Sequence, residues 1–328
     1  MRILVTGGQG FLGQALIRGL LRVGQVEITA TARRAAPELE AMGVKVCFVD
    51  LRHRPAVLEV CRGQDLIFHT AAKAGVWGAF ADYHGANTLA TSHLLEGARE
   101  NGVAFFVHTS SPSVTFSARS EIDVDESAPY CSKPLNPYCF TKIQSERAVL
   151  AADSLQGMRT LALRPHLIYG PGDPHLLPRV FKAAAQRRLI RVGDGLNRVD
   201  LTHIDDTVAA HLAVLTRLED PAIWGKPYFV SSGRPVLLWD WLGQLLAWKG
   251  LPPITRSISL RLGETLGSLL EVVYRLLPLP GEPPLTRFSA LQLGCSHTYS
   301  IERARCLLGY APEVDPYSDF EQQFVERL

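Results

Sequence analysis

Several features common in other protein classes are missing from this chain of 328 residues. No stretch approaches the roughly eighteen consecutive apolar residues of a membrane-spanning helix, which excludes a span. Charge of neither sign dominates. The formal net charge is +2 and no block of lysine or arginine stands out, so electrostatics make no case for a nucleic-acid partner. Cysteine is sparse: its six copies, at 47, 61, 131, 139, 295 and 306, form no CxxC pair and no cysteine–histidine cluster with zinc-like spacing. No metal centre is therefore expected. Internal repeats and low-complexity segments are absent as well. What remains is ordinary for a soluble enzyme, 47% hydrophobic and 20% charged, in a length that suits one large α/β unit with a smaller lobe. The N-terminus reads directly as a strand, so no signal peptide is expected, and reduced thiols point to a cytoplasmic protein.

The most informative feature that is present lies within the first thirteen residues. The apolar run Ile3-Leu4-Val5 leads into Gly7, Gly8, Gly10 and Gly13, while Leu12, Leu16, Leu20 and Val23 recur at helical spacing. Strand, glycine turn and helix in that order aim backbone N–H groups and a helix N-terminus at a pyrophosphate. The spacing is GxxGxxG rather than GxGxxG, and the strand before it and the helix after it give it force.

Short apolar runs then alternate with helical patterns, as a doubly wound parallel sheet of the Rossmann type requires. Strands are expected at Ile3–Thr6, Glu27–Thr31, Val44–Val49, Leu66–His69, Phe105–Thr109 and Thr160–Leu163. The longest helices are expected near Ala79–Asn101 and Pro137–Ala152. Residues 199–215 read as another strand and helix, capped by Asp205 or Asp206. Beyond Arg164, proline and glycine punctuate the chain, and a region rich in leucine, tryptophan and proline runs from about 235 to 284. The expected division is a dinucleotide-binding domain over 1–165 plus about 198–225, and a smaller C-terminal α+β substrate lobe over 166–197 and 226–328.

Tyr138 and Lys142 stand four apart on the second long helix, a spacing that puts both side chains on one face. A neighbouring ammonium favours the phenolate, which predicts a tyrosine lowered from about 10 toward the range useful for proton transfer. Thr109-Ser110-Ser111 ends the fifth strand, where a hydroxyl can meet a substrate carbonyl.

On these residues the chain resembles the extended short-chain dehydrogenases/reductases. The resemblance covers nearly the whole chain and rests on the segments Thr6–Gly13, Asp50-Leu51, Ala71-Ala72, Thr109–Ser111, Tyr138 with Lys142, Leu163–Pro165 and Tyr169–Asp173. It implies Tyr138 as acid/base, Ser111 as the carbonyl-polarising hydroxyl with Ser110 the less favoured choice, and Lys142 as the group that binds the nicotinamide ribose and tunes Tyr138. Cofactor contacts are implied for Gly7, Gly10, Phe11, Leu12, Gly13, Ala71, Ala72, Lys73, Pro165 and Ile168, with Asp50 and Leu51 at the adenine. Within the family the chain is most similar to the 3β-hydroxysteroid-dehydrogenase-like branch. There Ala72–Gly78, Gly172–Arg179 and Pro280–Phe288 look like those of bacterial 2-alkyl-3-oxoalkanoate reductases, and sterol-4-carboxylate 3-dehydrogenases share much of the pattern.

The end of the second strand bears on the cofactor. An acid there would hold a ribose 2′-hydroxyl, but the segment reads Thr31-Ala32-Arg33-Arg34, and two guanidiniums suit a 2′-phosphate. NADPH is therefore expected, with Arg33 and Arg34 as its ligands. In the lobe, Ile258, Leu262, Leu266, Leu269, Val273, Leu276 and Leu277 recur at helical spacing. They are expected to fill the lobe's own core; an acyl channel or peripheral contact with a membrane are the other readings. Lys73 and Arg287 are candidate cations for a substrate carboxylate, and His166 and His175 carry no catalytic role.

The expected activity is an NADPH-dependent, reversible reduction of a β-keto group on a hydrophobic substrate, by a protein that the resemblance suggests is a homodimer. A nucleotide-sugar epimerase or dehydratase with tightly held NAD shares Tyr138, Lys142 and the glycine turn. A non-catalytic dinucleotide sensor would dispense with the tyrosine or the lysine.

Overall fold

The computed structural model describes residues 1–324 apart from positions 175, 278 and 319, so His175 lies outside the described residues. Its centre is a parallel sheet of seven strands: β1 (Arg2–Thr6), β2 (Glu27–Ala32), β3 (Lys45–Phe48), β4 (Leu66–His69), β5 (Phe105–Thr109), β6 (Arg159–Pro165) and β7 (Pro227–Val230). In space they run β3-β2-β1-β4-β5-β6-β7. Ile3, Leu4 and Val5 are buried on both faces, as a continuous apolar run in a parallel sheet must be. Leu16, Ile17 and Leu20 of the helix Phe11–Val23 cover one face together with Val208 and Val214 of the helix Ile204–Leu215. Leu94, Leu95 and Ala98 cover the other face with Val57 and Val149.

Strand order reverses at β1, whose neighbours β2 and β4 belong to the two halves of the sheet. The crevice between the carboxyl ends of β1 and β4 is where such sheets bind ligands. Here it lies between Gly7 and Ala71.

Two expectations about the lobe are corrected. The strand Pro227–Val230 pairs in register with β6, Pro227 opposite Ala162 and Val230 opposite Pro165, so the central sheet takes residues that the sequence assigns to the lobe from 226. The lobe's own four-stranded sheet draws Glu121–Val124 and Arg198–Val199 out of the expected first domain and joins them to His297–Tyr299 and Val236–Leu237. Ile301, Ala304, Leu308 and Tyr310 return the chain to the core of the large sheet. The lobe closes around Trp241, Trp239, Leu242, Leu245 and Tyr169. The cap of the helix Ile204–Leu215 is His203, which accepts the Asp205 N–H at 3.2 Å, rather than Asp205 or Asp206.

Candidate active site

Gly7 is left-handed at φ +69°, and a Cβ there would sit 2.8 Å from the Ala71 Cα. A Cβ on Gly13 would collide with the Gly7 carbonyl oxygen. Both glycines are therefore required by the close passage of backbone at the crevice. Gly10 caps the helix Phe11–Val23 without any side-chain hydrogen bond. The first-turn N–H groups are thus left to an anion, and the cradle fits a dinucleotide pyrophosphate.

Gln9 was not singled out in the sequence, yet its side chain organises the neighbouring loop. Gln9 Oε1 accepts the N–H groups of Arg33 and Arg34, both at 3.3 Å, and Nε2 donates to the Ala35 carbonyl at 2.8 Å. Arg33 and Arg34 are exposed. Among the described residues neither is held in an ion pair. Arg52 grips the Asp50 carboxylate through Nη2 at 2.5 Å and Nε at 3.0 Å. That hydrogen-bonded guanidinium lowers the Asp50 carboxyl to about 2. The Leu51 carbonyl accepts His93 Nδ1 at 3.1 Å. Pro165 ends β6 on the same carboxyl edge, and Ile168 follows in a short strand beside Thr202.

A chain of buried side chains ties this edge to the helix that bears Tyr138. The Thr91 hydroxyl donates to the Asn87 carbonyl at 2.6 Å, so it accepts from His69 Nε2 at 2.9 Å. His69 Nδ1 is then left to accept from the Thr6 hydroxyl at 2.8 Å. Burial keeps this imidazole neutral, lowering it to about 3. Asn87 lies in a π-helical turn, His84–Leu89, between Phe80–Tyr83 and Ala90–Glu100. Its amide takes the Lys73 N–H at 2.7 Å, returns a bond to the Lys73 carbonyl at 3.1 Å and reaches Thr141 at 3.0 Å. The loop after β4 and the helix bearing Tyr138 are thereby held as one unit.

That helix runs Pro137–Ala151, capped by Asn136, whose Oδ1 accepts the Cys139 N–H at 2.9 Å, with proline in its first turn. Glu146 anchors it to β6 through a buried pair with Arg164, at 2.5 Å to Nη2, and Tyr130 adds a bond to Glu146 at 2.8 Å. Ser111, the residue just past β5, lies beside Tyr138 and lowers its phenol. Ser110 is buried and its hydroxyl has no partner among the described residues. Lys142 is buried on the same helix and donates to the Thr109 carbonyl at 2.6 Å, with His108 Nε2 at 3.2 Å. The phenol, the ammonium and the strand-end hydroxyl thus gather at the carboxyl edge.

Their electrostatics depart from expectation. Burial pushes Tyr138 up to about 12, and the neighbouring Ser111 hydroxyl opposes that rise. Burial lowers Lys142 itself to about 7, and the Glu146 carboxylate opposes that fall. A phenol above its ordinary value keeps its proton at neutral pH, the state needed by a general acid.

A cavity of about 380 Å³ opens beside the N-terminus of this helix, lined by Val76, Trp77, Phe80 and Leu135 with Glu271 and Arg275. Neither candidate cation for a substrate is free. Lys73 pairs with Asp82 at 3.0 Å and Arg287 with Glu264 at 2.9 Å. Arg275, which the sequence showed only as an interruption of an apolar stripe, is the cation on the cavity wall. A larger cavity, about 630 Å³, lies along the outside of the helix Phe11–Val23 and does not include Ser111, Tyr138 or Lys142. His166 is structural, its Nε2 2.7 Å from His297 Nδ1.

The switch-point crevice, the glycine cradle and the gathered hydroxyl, phenol and ammonium define a nicotinamide-dependent oxidoreductase of the extended short-chain type. The family described as "3-beta hydroxysteroid dehydrogenase/isomerase family" matches residues 4–262, and the chain belongs to it. It is 45% identical to a 2-alkyl-3-oxoalkanoate reductase of Stenotrophomonas maltophilia, over 96% of each chain. It is 31% identical to a mouse sterol-4-alpha-carboxylate 3-dehydrogenase (decarboxylating), over 94% of this chain and 86% of that one. Its fold is similar to that of the UDP-glucuronic acid 4-epimerase from Bacillus cereus solved with NAD, at 21% identity and a TM-score of 0.76, over 98% and 96% of the two chains.

Proposed function

We propose that the protein is an NADPH-dependent reductase of the β-keto group in an acid with a bulky hydrocarbon body, such as a 2-alkyl-3-oxoalkanoate, working reversibly. The observation that carries this reading is the placement of Ser111 beside Tyr138 at the sheet edge that also carries the glycine cradle. The likeness to reductases and sterol dehydrogenases adds the substrate class. A bound nicotinamide would supply the hydride. Gly7, Gly10 and Gly13 with the helix N-terminus would hold the pyrophosphate, and Arg33 and Arg34 the 2′-phosphate. Ser111 and Tyr138 would orient the keto oxygen between two hydroxyls, and Tyr138 Oη would deliver the proton as charge develops there. Lys142, within reach of the same edge, would bind the ribose and keep its ammonium near that oxygen.

Trp77, Val76, Phe80 and Leu135 give the cavity an apolar wall suited to hydrocarbon. The exposed and mutually packed Phe80 and Phe140, with ring centroids 5.6 Å apart, suit a homodimer built on the two long helices. All six cysteines are free, which agrees with a cytoplasmic location.

The test is cofactor oxidation by the purified protein with NADPH or NADH against 2-alkyl-3-keto acids, 3-ketosteroids and UDP-sugars. Turnover of the branched keto acids with NADPH is expected. Conversion of a UDP-sugar alone, with NAD retained through the cycle, would overturn the reading in favour of an epimerase.

A further inference from the structure

The helix Leu260–Leu276 keeps Leu260 against the lobe core, beside the preceding Ile258, but leaves Leu262, Leu266, Leu269 and Leu276 exposed, contrary to the expectation from its periodicity. It buries two glycines instead, Gly263 and Gly267. A Cβ on Gly267 would lie 2.6 Å from the Thr286 carbonyl carbon, so this face meets the neighbouring chain at backbone contact. Leu262, Leu266, Leu269, Val272 and Leu276 form an arc on the outer face, spaced i, i+4, i+7, i+10 and i+14. Leu269 is 58% and Leu276 77% exposed, and the exposed Leu277 and Leu279 continue the apolar edge. Contiguous apolar surface of this kind on a soluble fold marks a binding face.

Charge at one end of the helix identifies the partner. Arg261 follows the helix start, and Arg256 lies in the strand Arg256–Ile258, which pairs in parallel with Ile190–Val192. Arg191 is opposite Ser257 in that register, and Arg187 and Arg188 immediately precede the paired strand. All five arginines are exposed, and among the described residues none is in an ion pair. The helix's own acids are engaged, Glu264 by Arg287 and Glu271 by Arg275. Asp194, nearby, is turned to the Leu196 N–H at 2.9 Å.

We infer that this helix seats the protein on an anionic lipid surface, with the leucine arc in the acyl boundary and the arginines among the headgroups. An aliphatic, convex arc without aromatic anchors suits a bilayer, which yields to it, better than the packed pockets of a protein partner. No helix of the described residues is long and apolar enough to cross a membrane, so contact is confined to the interface. Glu271 and Arg275 of the same helix line the cavity beside Pro137. If the reductase reading holds, a hydrocarbon substrate dissolved in the bilayer would have a short path to Tyr138.

Vesicle sedimentation of the full chain tests the docking without reference to turnover. The wild type is expected to pellet with vesicles containing phosphatidylglycerol, and less with pure phosphatidylcholine or in high salt. Leu269→Gln with Leu276→Gln should lower the partition coefficient at least about tenfold, with unchanged thermal unfolding because both side chains are exposed. Arg188→Glu with Arg256→Glu should lower it about tenfold on anionic vesicles. Wild-type protein left in the supernatant would overturn the proposal, as would leucine variants that bind equally well. A wild type that ignores vesicles but loses self-association in the leucine variant would overturn it in favour of a second copy of the chain.

Discussion

Tyr138 illustrates why neighbours four apart in sequence do not by themselves set a pKa. The helix places Lys142 on its face, but the ammonium turns to the Thr109 carbonyl, and burial governs the phenol. Arg33 and Arg34 lie where the sequence expects them, at the end of β2, yet what shapes their loop is Gln9. A single amide in a glycine turn carries no periodic signal, so nothing in the sequence marked it. Arg33→Ala with Arg34→Ala should weaken NADPH binding by roughly a hundredfold, two charge-assisted contacts to one phosphate, while NADH binding changes little. Gln9→Ala should act in the same direction by several-fold, since it frees the loop without removing a charge. Titration of both cofactors by fluorescence checks this, and equal losses for NADPH and NADH would refute the phosphate assignment.

At the level of elements, the active helix depends on one buried ion pair. Glu146 and Arg164 are both almost fully enclosed, and removing one partner strands the other charge. Glu146→Ala should lower unfolding stability by about 3–5 kcal/mol in urea titration; a loss below about 1 kcal/mol would contradict the anchor. Six strands of the central sheet were legible because short runs rich in apolar residues alternate with helical patterns along the chain. The seventh was not, because Pro227–Val230 is short, opens with proline and follows a segment of mixed texture. The helix Leu260–Leu276 shows a second kind of illegibility. Period 3.6 reveals a stripe but not which side faces inward, and here two glycines permit the closer approach. His69 escaped for a similar reason: its work is done by hydrogen bonds between distant segments, which leave no local pattern, whereas the scaffold role of Asn87 was implied by the family resemblance.

For the whole molecule, two buried acids predict a dependence of stability on pH. Burial pushes Asp200 up to about 7 and Asp206 up to about 6, both from near 3.8. The folded state keeps protons that the unfolded chain has already lost in this window. Their contribution is therefore complete below about pH 4 and disappears as pH rises through 6 to 7. Asp200→Asn should flatten the part of the fall above about pH 6 in thermal unfolding curves, whereas an unchanged slope would contradict it. Glycine cradle, anchored helix and strand-end hydroxyl converge on one phenol, and the proposed function rests there. Tyr138→Phe removes the hydroxyl and leaves the rest in place. The most direct measurement is its turnover of a 2-alkyl-3-keto acid alongside its NADPH affinity. The expected result is binding within about twofold of wild type with turnover lower by about a thousandfold; turnover near the wild-type rate would contradict the account.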